Sequence, residues 1–352
     1  MDNFNELVGC IHAHSIYSDG SGDYPKIIQS AIDAGLDYLL MSDHMTLKGR
    51  SEGYNGWYDD FFLGIGYEIQ DPDDQHHYLA FGLEKILDAE LSHEQYIKEV
   101  DKKGALGIAA HPFEERDPEK APRGMPPINW TSLDYPEIKV IELWNMMSHW
   151  MEKTTLRNQF WNFLHPRSFS THPKRKLLKW WDKVNQNRKV TAIGAVDAHA
   201  TKIKILGLFE KAVFDYKIMF KSIRTHLLLD EPFDHHIEEE DAETIIYDNI
   251  SSGRNFISNY RRGDARGFRF WAEANSRLIQ MGDSIQADEA KLYASLPRKA
   301  HVKVIRNGEI FKKVYTNNLE LEVPSGLYRL EAEVKQRGWI YTNHIKIKGG
   351  HN

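Results

Sequence analysis

His12-Ala13-His14 sets two imidazoles two residues apart, just past the apolar run Val8–Ile11. In an extended strand, residues i and i+2 share a face, so both rings can reach one ion. Ser15-Ile16-Tyr17-Ser18-Asp19-Gly20 follows and puts a carboxylate on a glycine-containing turn. Ser42-Asp43-His44 ends a second apolar run, and Glu68 falls inside Leu63–Ile69, where an uncompensated carboxylate would be costly to bury. His111 ends Leu106–Ala110, and Asp197-Ala198-His199 ends Thr191–Val196. A His-x-His pair alone is commonplace; the recurrence of N and O donors at one strand end after another is not. Imidazole with carboxylate suits Zn, Mn or Fe. The donors outnumber what one tetrahedral ion takes, which points to two or three divalent ions. Clustered ions acidify water and polarise a phosphoryl or acyl oxygen, so the chemistry expected is hydrolysis.

Such donors need a scaffold that brings strand ends to one mouth. From Val8 to about His199, apolar runs read as buried strands (Val8–Ile11, Tyr38–Met41, Leu63–Ile69, Tyr78–Leu83, Leu106–Ala110, Val140–Leu143, Thr191–Val196). Amphipathic segments lie between several of them, including Tyr24–Ala34 led by Pro25, and Ser92–Lys103 opening Ser-x-x-Gln. This alternation predicts an α/β barrel or a doubly wound sheet, with strand ends facing the binding loops. Thr46–Asp60, Pro112–Trp130 and Ser148–Lys174 read as irregular loops after strands. After about Gly253 the pattern shifts to short runs of alternating polarity, with Asn307-Gly308 as a hairpin turn and Pro324-Ser325-Gly326 as another. About 100 residues of antiparallel β-sandwich are expected there, and the division predicted is 1–255 and 256–352.

In order and spacing, His12-x-His14-Ser15…Ser18-Asp19-Gly20, Ser42-Asp43-His44, Glu68, Ala110-His111-Pro112 and Asp197-Ala198-His199 resemble the successive motifs of the PHP (polymerase and histidinol phosphatase) metallohydrolases. The resemblance covers about the first 200 residues. It implies a distorted (β/α)7 barrel holding up to three ions. By that resemblance, His12, His14, Glu68 and Asp197 hold the first ion, and Asp19, His44 and His199 the second. Glu68 bridges to a third with His77 and His111; adjacent His76 would face the other way. Glu68, Asp197 and His199 carry the catalytic expectation. The C-terminal segment resembles the β-sandwich of one PHP branch that includes carbamate and amide hydrolases. That branch usually has proline where His344 stands in Tyr341-Thr342-Asn343-His344-Ile345, which puts His344 outside the site.

The reading is therefore a hydrolase, foremost a phosphoesterase acting on a small phosphate ester through metal-bound hydroxide, with carbamate or amide hydrolysis as the alternative. Arg123, Glu142 and Asn145 are candidate substrate contacts; Glu142 and Asn145 could equally orient ligands or cap a turn. Lys48, Arg50 and Arg116 could clamp an anion, although a solvated loop charge is the plainer reading of each. His149 reads as a solvated loop residue, and His165, His172, His226, His235, His236 and His301 as surface or structural. Trp180-Trp181 reads as a helix packing face.

Composition narrows the classes. The 352 residues suggest about two domains, and 41% hydrophobic with 27% charged residues describes an ordinary globular protein. Lys+Arg 45 against Asp+Glu 51 argues against a stable nucleic-acid partner. One cysteine excludes internal disulfides and an all-thiolate zinc site, leaving the 17 histidines and the carboxylates as metal donors. No run approaches the roughly 18 apolar residues of a membrane span. Leu7-Val8-Gly9-Cys10 looks like a lipoprotein box, but Met1–Glu6 is neither basic nor apolar, so Cys10 is expected inside the first strand and the chain in the cytoplasm. A structural-metal module is disfavoured because such sites close with four protein ligands.

Overall fold

Apolar runs become strands wherever both faces can be buried. The computed structural model describes residues 5–350 except 118, 121–127, 129, 206–208 and 213, with backbone alone over 202–205 and 209–212. The chain opens with β1 (Asn5–Ile11), α1 (Tyr24–Ala34), β2 (Tyr38–Met41), α2 (Lys48–Ser51), β3 (Gly56–Tyr58), β4 (Phe61–Ile65), β5 (Tyr67–Gln70) and β6 (His77–Phe81). It continues with α3 (His93–Lys102), β7 (Leu106–Ala109), β8 (Val140–Asn145), α4 (Met146–Lys153), α5 (Gln159–Leu164), α6 (Arg175–Asn187) and β9 (Thr191–Ala195). Cys10 is buried in β1, as expected. In α1 the Asp23 side chain accepts from the Lys26 amide, and Ile27, Ile28, Ala31 and Ala34 form the buried stripe. Gln95 accepts from the Ser92 amide at 2.9 Å, closing the capping box at the start of α3.

The rest is β10 (Lys202–Ile205), β11 (Phe209–Ala212), α7 (Tyr216–Met219), β12 (Ile223–Leu229), α8 (Glu239–Ser252) and β13 (Asn255–Asn259). Then come β14 (Arg269–Ala274), β15 (Arg277–Gln280), β16 (Ser284–Gln286), β17 (Glu289–Arg306), β18 (Glu309–Pro324), β19 (Gly326–Val334), β20 (Arg337–Thr342) and β21 (Ile345–Lys348). The runs expected between 302 and 323 are two long strands turning at Asn307-Gly308, where φ is 51° and 88°.

The fold is mixed α/β with large sheets. One sheet of 14 strands holds β1, β2 and β4 side by side in parallel; β12 and β13 extend it antiparallel toward β20 and the C-terminal strands. A second sheet runs β5-β6-β7-β8-β9. The two meet at two seams. At one, His14 N donates to Ala198 O (2.9 Å) and Val196 N to Ile11 O (3.1 Å); at the other, Gly66 N donates to Met41 O (3.0 Å) and Met45 N to Glu68 O (3.0 Å). Among the described residues, only the isolated bridges Ala13–Ala198 and His44–Glu68 cross these seams, and no continuous ladder closes a barrel. The expected strand Leu63–Ile69 is likewise broken at Gly66, where β4 pairs toward β2 and β5 turns to β6. A Cβ at Gly66 would lie 2.2 Å from Ala80 O, so only glycine fits the crossing.

Two further expectations change. Ser148–Lys174 is largely helical, carrying the end of α4 and all of α5, and Thr46–Asp60 contains α2 and β3. The C-terminal strands share a sheet with β1 through the β13–β20 pairing. One buried apolar cluster gathers Leu228, Phe256 and residues 265–347; two others draw chiefly on residues 7–257. A buried polar tie links the two regions: Arg329 donates to Asp182 Oδ1 and Oδ2 at 2.6 and 2.8 Å, and His344 Nε2 donates to Oδ1 at 2.9 Å. Trp181 packs on His344 with ring centroids 4.3 Å apart. Among the described residues, no helix is long and apolar enough to cross a membrane.

Candidate metal centre

Glu68, carried on β5, is buried and sits among five imidazoles. Its Oε2 lies 3.0 Å from His12 Nε2, 3.2 Å from His14 Nε2 and 3.6 Å from His44 Nε2. Its Oε1 lies 2.9 Å from His77 Nδ1 and 3.4 Å from His111 Nε2. Burial would raise the carboxyl, but His12, His44 and His77 hold it well below its ordinary value. Asp197 Oδ1 lies 3.4 Å from His12 Nε2 and 3.5 Å from His14 Nε2, and also faces His199 Nδ1 at 3.4 Å. At the outer rim His199 Nε2 meets Asp19 Oδ2 at 3.1 Å, while the other oxygen of Asp19 faces His14 Nδ1 and His44.

All nine expected ligands thus lie together. Donor atoms within 4.8 Å of one another group as His14, Asp19, His44 and His199; His12, His14 and Asp197; His12, Glu68 and His111; and His44, Glu68 and His77. The grouping overlaps more than expected. His14 reaches the Asp19 group as well as the Asp197 group, Glu68 groups with His12 and His111 and with His44 and His77 rather than with Asp197, and His77 and His111 fall in separate groups.

The donor set fits metal ions. His44 Nδ1 and His111 Nδ1 are buried with no hydrogen-bond partner, an unpaired buried nitrogen is costly, and both nitrogens of His14 meet only carboxylates, at 3.2–3.5 Å. Backbone strain accompanies them: φ is 73° at His12, 29° at His111 and 55° at Asp197, although none is glycine. Both His77 nitrogens face carboxylates, Nε2 lying 2.8 Å from Asp74 Oδ1, and these raise it to about 10 against the effect of burial.

Behind the ligands lies an orienting layer. His12 Nδ1 donates to Glu142 Oε1 at 2.6 Å, which fixes the tautomer and aims Nε2 at the cluster. Glu142 Oε2 accepts from the His111 amide and from Asn145 Nδ2, each at 2.7 Å. Glu142 and Asn145 are therefore buried behind the ligands rather than presented to a substrate. Asp43 accepts from the Ser15 amide and hydroxyl, Ser18 and Tyr24, binding the Asp19 turn to the end of β2. Gly20 lets that turn fold back, since a Cβ there would lie 2.3 Å from His14 O.

Other expected residues are placed elsewhere. Arg123 lies outside the described residues. Arg50 pairs with Glu243 and Arg116 with Glu114. His149 is buried in α4, not solvated, because the loop expected there is helix. His76 turns away from the cluster, donating to Asp71 Oδ2 at 2.6 Å and meeting Thr131 Oγ1 at 2.9 Å. Asp71, His76 and His93 also lie close together. Their two rings stack at 3.8 Å and 14°, so the in-plane lone pairs run parallel instead of converging on an ion.

The cluster opens into a cavity of about 630 Å3. Its other lining includes Asp74, Ile128, Met147, Trp150, Met151, Phe163 and Phe214. Sequence reading missed this apolar side and Asp74; the only available signal was the Met-Met and Phe-rich text of 146–163.

No protein-family model matches this chain, and no curated protein matches it. Among solved structures, 98% of the chain is similar to 96% of a Bacteroides vulgatus protein, at 14% identity and a TM-score of 0.45. That protein is described as two-domain and as containing a predicted PHP-like metal-dependent phosphoesterase. A Bifidobacterium adolescentis protein provisionally described as a metal-dependent phosphoesterase is similar over 60% of this chain and 93% of its own, at 14% identity and a TM-score of 0.32. At these identities and TM-scores, the chemistry is carried by this chain's own residues.

Proposed function

We propose that the chain is a PHP-type metal-dependent phosphoesterase that hydrolyses a small phosphate ester. The observation that carries this is Glu68, whose two oxygens face two different sets of imidazoles, with His44 Nδ1 and His111 Nδ1 buried beside them without a hydrogen bond. His12, His14 and Asp197 with Glu68 Oε2, His77 and His111 with Oε1, and Asp19, His44 and His199 at the rim would hold two or three ions of Zn, Mn or Fe. When bound, such ions polarise a phosphoryl oxygen and acidify water near neutral pH. Glu68 and Asp197 set the spacing of the donor groups. His199 borders the cavity against Asp19, a place for either a ligand or a proton donor to the leaving oxygen.

The same proposal covers the frame. Seven successive strand positions, β1, β2, β4–β5, β6, β7, β8 and β9, would form a distorted (β/α)7 barrel with broken seams; all but β8 bring a ligand to the cluster, and β6 runs antiparallel to both neighbours. The strands from β14 on would be its small β-sandwich, and 1–255 and 256–352 the two domains, the boundary falling at the start of β13. All nine ligands precede that boundary.

The test is elemental analysis of the purified protein, then turnover of aryl phosphomonoesters, phosphodiesters and carbamates with and without chelator. More than one equivalent of transition metal and chelator-sensitive phosphate release are expected. Activity intact in chelator, or carbamate turnover without any phosphate turnover, would replace this reading.

A further inference from the structure

We propose that the organic group of the substrate is aromatic or otherwise compact and apolar, and that it binds the cavity wall formed by Met147, Trp150, Met151, Phe163 and Phe214. The hydrolysis of that substrate rests on the reading above; its binding does not.

The ligand cluster and this wall line one cavity, and a volume of about 630 Å3 is that of a drug-sized ligand site. Four carboxylates (Asp19, Glu68, Asp74 and Asp197) line it, and among the described lining residues there is no lysine or arginine. Asp19, Glu68 and Asp197 belong to the donor set, so the phosphate end of a substrate would meet the ions they hold. Beyond them the described wall offers apolar side chains and no cation to pair with a charged body, so an apolar body fits it.

The wall is built rather than incidental. Trp150 meets Phe214 edge-on at 4.5 Å and lies 5.2 Å from Phe163. Trp150 Nε1 donates to Asn162 O at 3.1 Å, and buried Asn162 Nδ2 donates to Thr154 Oγ1 at 3.0 Å, which ties α5 to the end of α4. α5 is reversed in polarity: Asn162 points in, Phe163 lines the cavity, and Phe160, Trp161 and Leu164 are exposed. Core packing alone would place Asn162 outside and the aromatic rings inside. Met151 and Phe163 stay half-exposed to the cavity, and methionine adapts its shape to an apolar guest.

The experiment is calorimetric binding of methyl-, phenyl- and 1-naphthylphosphonate, none of which can be hydrolysed, to protein loaded with Zn2+ or Mn2+. Each additional ~55 Å2 of apolar surface buried tightens binding about tenfold, so naphthyl is expected to exceed methyl by tenfold or more. Phe163→Ala and Met151→Gln, both at half-exposed positions, should each shrink the naphthyl-to-methyl ratio at least about threefold. Equal affinities across the series, or a ratio unmoved in both folded variants, would overturn the proposal. Turnover of the matching esters is scored separately. Apolar preference in binding without turnover sinks the hydrolase reading and supports the wall; turnover without apolar preference sinks the wall alone.

Discussion

Glu142→Gln tests the layer that aims the ligands. The carboxylate accepts three hydrogen bonds, from His12 Nδ1 at 2.6 Å and from the His111 amide and Asn145 Nδ2 at 2.7 Å each. A glutamine can keep its amide oxygen on His12. Its NH2 group then faces the other two donors, so two hydrogen bonds become donor–donor contacts in a buried site. Bonds to a charged acceptor contribute about 1.5–3 kcal/mol each, which bounds the local cost at roughly 3–6 kcal/mol before relaxation. Part of that cost is met by moving the His111 backbone and the His12 ring, which is what would misplace the donor nitrogens. Loss of an orienting partner typically lowers metal affinity about 10–100-fold, or about 1.4–2.7 kcal/mol. The assay is a competition titration of metal-stripped protein against a chromophoric chelator, with urea unfolding of the stripped protein run alongside. Asn145→Ala, which removes one of the three bonds and leaves the charge, should fall severalfold short of that loss. If Glu142→Gln binds metal within about twofold of the parent, the orienting role of Glu142 is wrong.

Glu68→Gln should lower metal content and kcat together, by about 10–100-fold or more, since it strips charge from both donor groups at once; full occupancy with near-normal kcat would refute the shared carboxylate. Asp182→Asn removes one of the two carboxylates that hold the buried Arg329 guanidinium, Glu331 remaining at 2.7 Å, and should cost about 1.5–3 kcal/mol in urea unfolding; a change under about 1 kcal/mol would show the tie to be dispensable. Burial opposes the charge on Asp182, but Arg329 and His344 hold its pKa at about 2. That stabilisation is therefore present above the ordinary carboxylate range and is lost only as pH falls toward 2. Burial, then Lys174 and Lys153, push His149 down to about 3. The unfolded chain binds a proton there near pH 6.5 that the folded chain refuses, so stability falls on acidification between about 6.5 and 3, by up to ~1.4 kcal/mol per pH unit. His149→Gln should flatten that slope by one proton, read by urea unfolding at several pH values; an unchanged slope would exclude His149 as the source.

The ligands were legible because each is announced locally. An apolar run marks a strand, and the donor sits at or just past its end, so His12, His14, His44, His111, Asp197 and His199 need no long-range information to be singled out. What escaped depends on partners that no apolar run announces. Asp74 looks like any acidic turn residue until His77 is seen to need an acceptor for its second nitrogen. The break at Gly66 depends on the Ala80 carbonyl, and the burial of His149 on α5 and its neighbours. The polarity of α5 misleads in isolation, because Asn162 Nδ2 donates inside to Thr154 and the Lys153 carbonyl while Oδ1 is buried without a partner.

Backbone conformation adds a signal that composition hides. His12, His111 and Asp197 adopt positive φ, and so do Met45 and Ala200, the residues directly after His44 and His199. For a residue with a Cβ, left-handed backbone costs about 1–2 kcal/mol, which glycine would avoid. At Met45 and Ala200 the strain turns the chain immediately after a donor. At His12, His111 and Asp197 glycine would remove the donor itself. These five sit at or directly after the candidate donors, whereas Asn275, Ser276, Asn307, Lys335 and Gln336 take positive φ in turns between the C-terminal strands. A chain arranged for stability alone would relax those positions first. That they are instead imidazole and carboxylate, and buried, is the physical argument for the metal-binding reading proposed above.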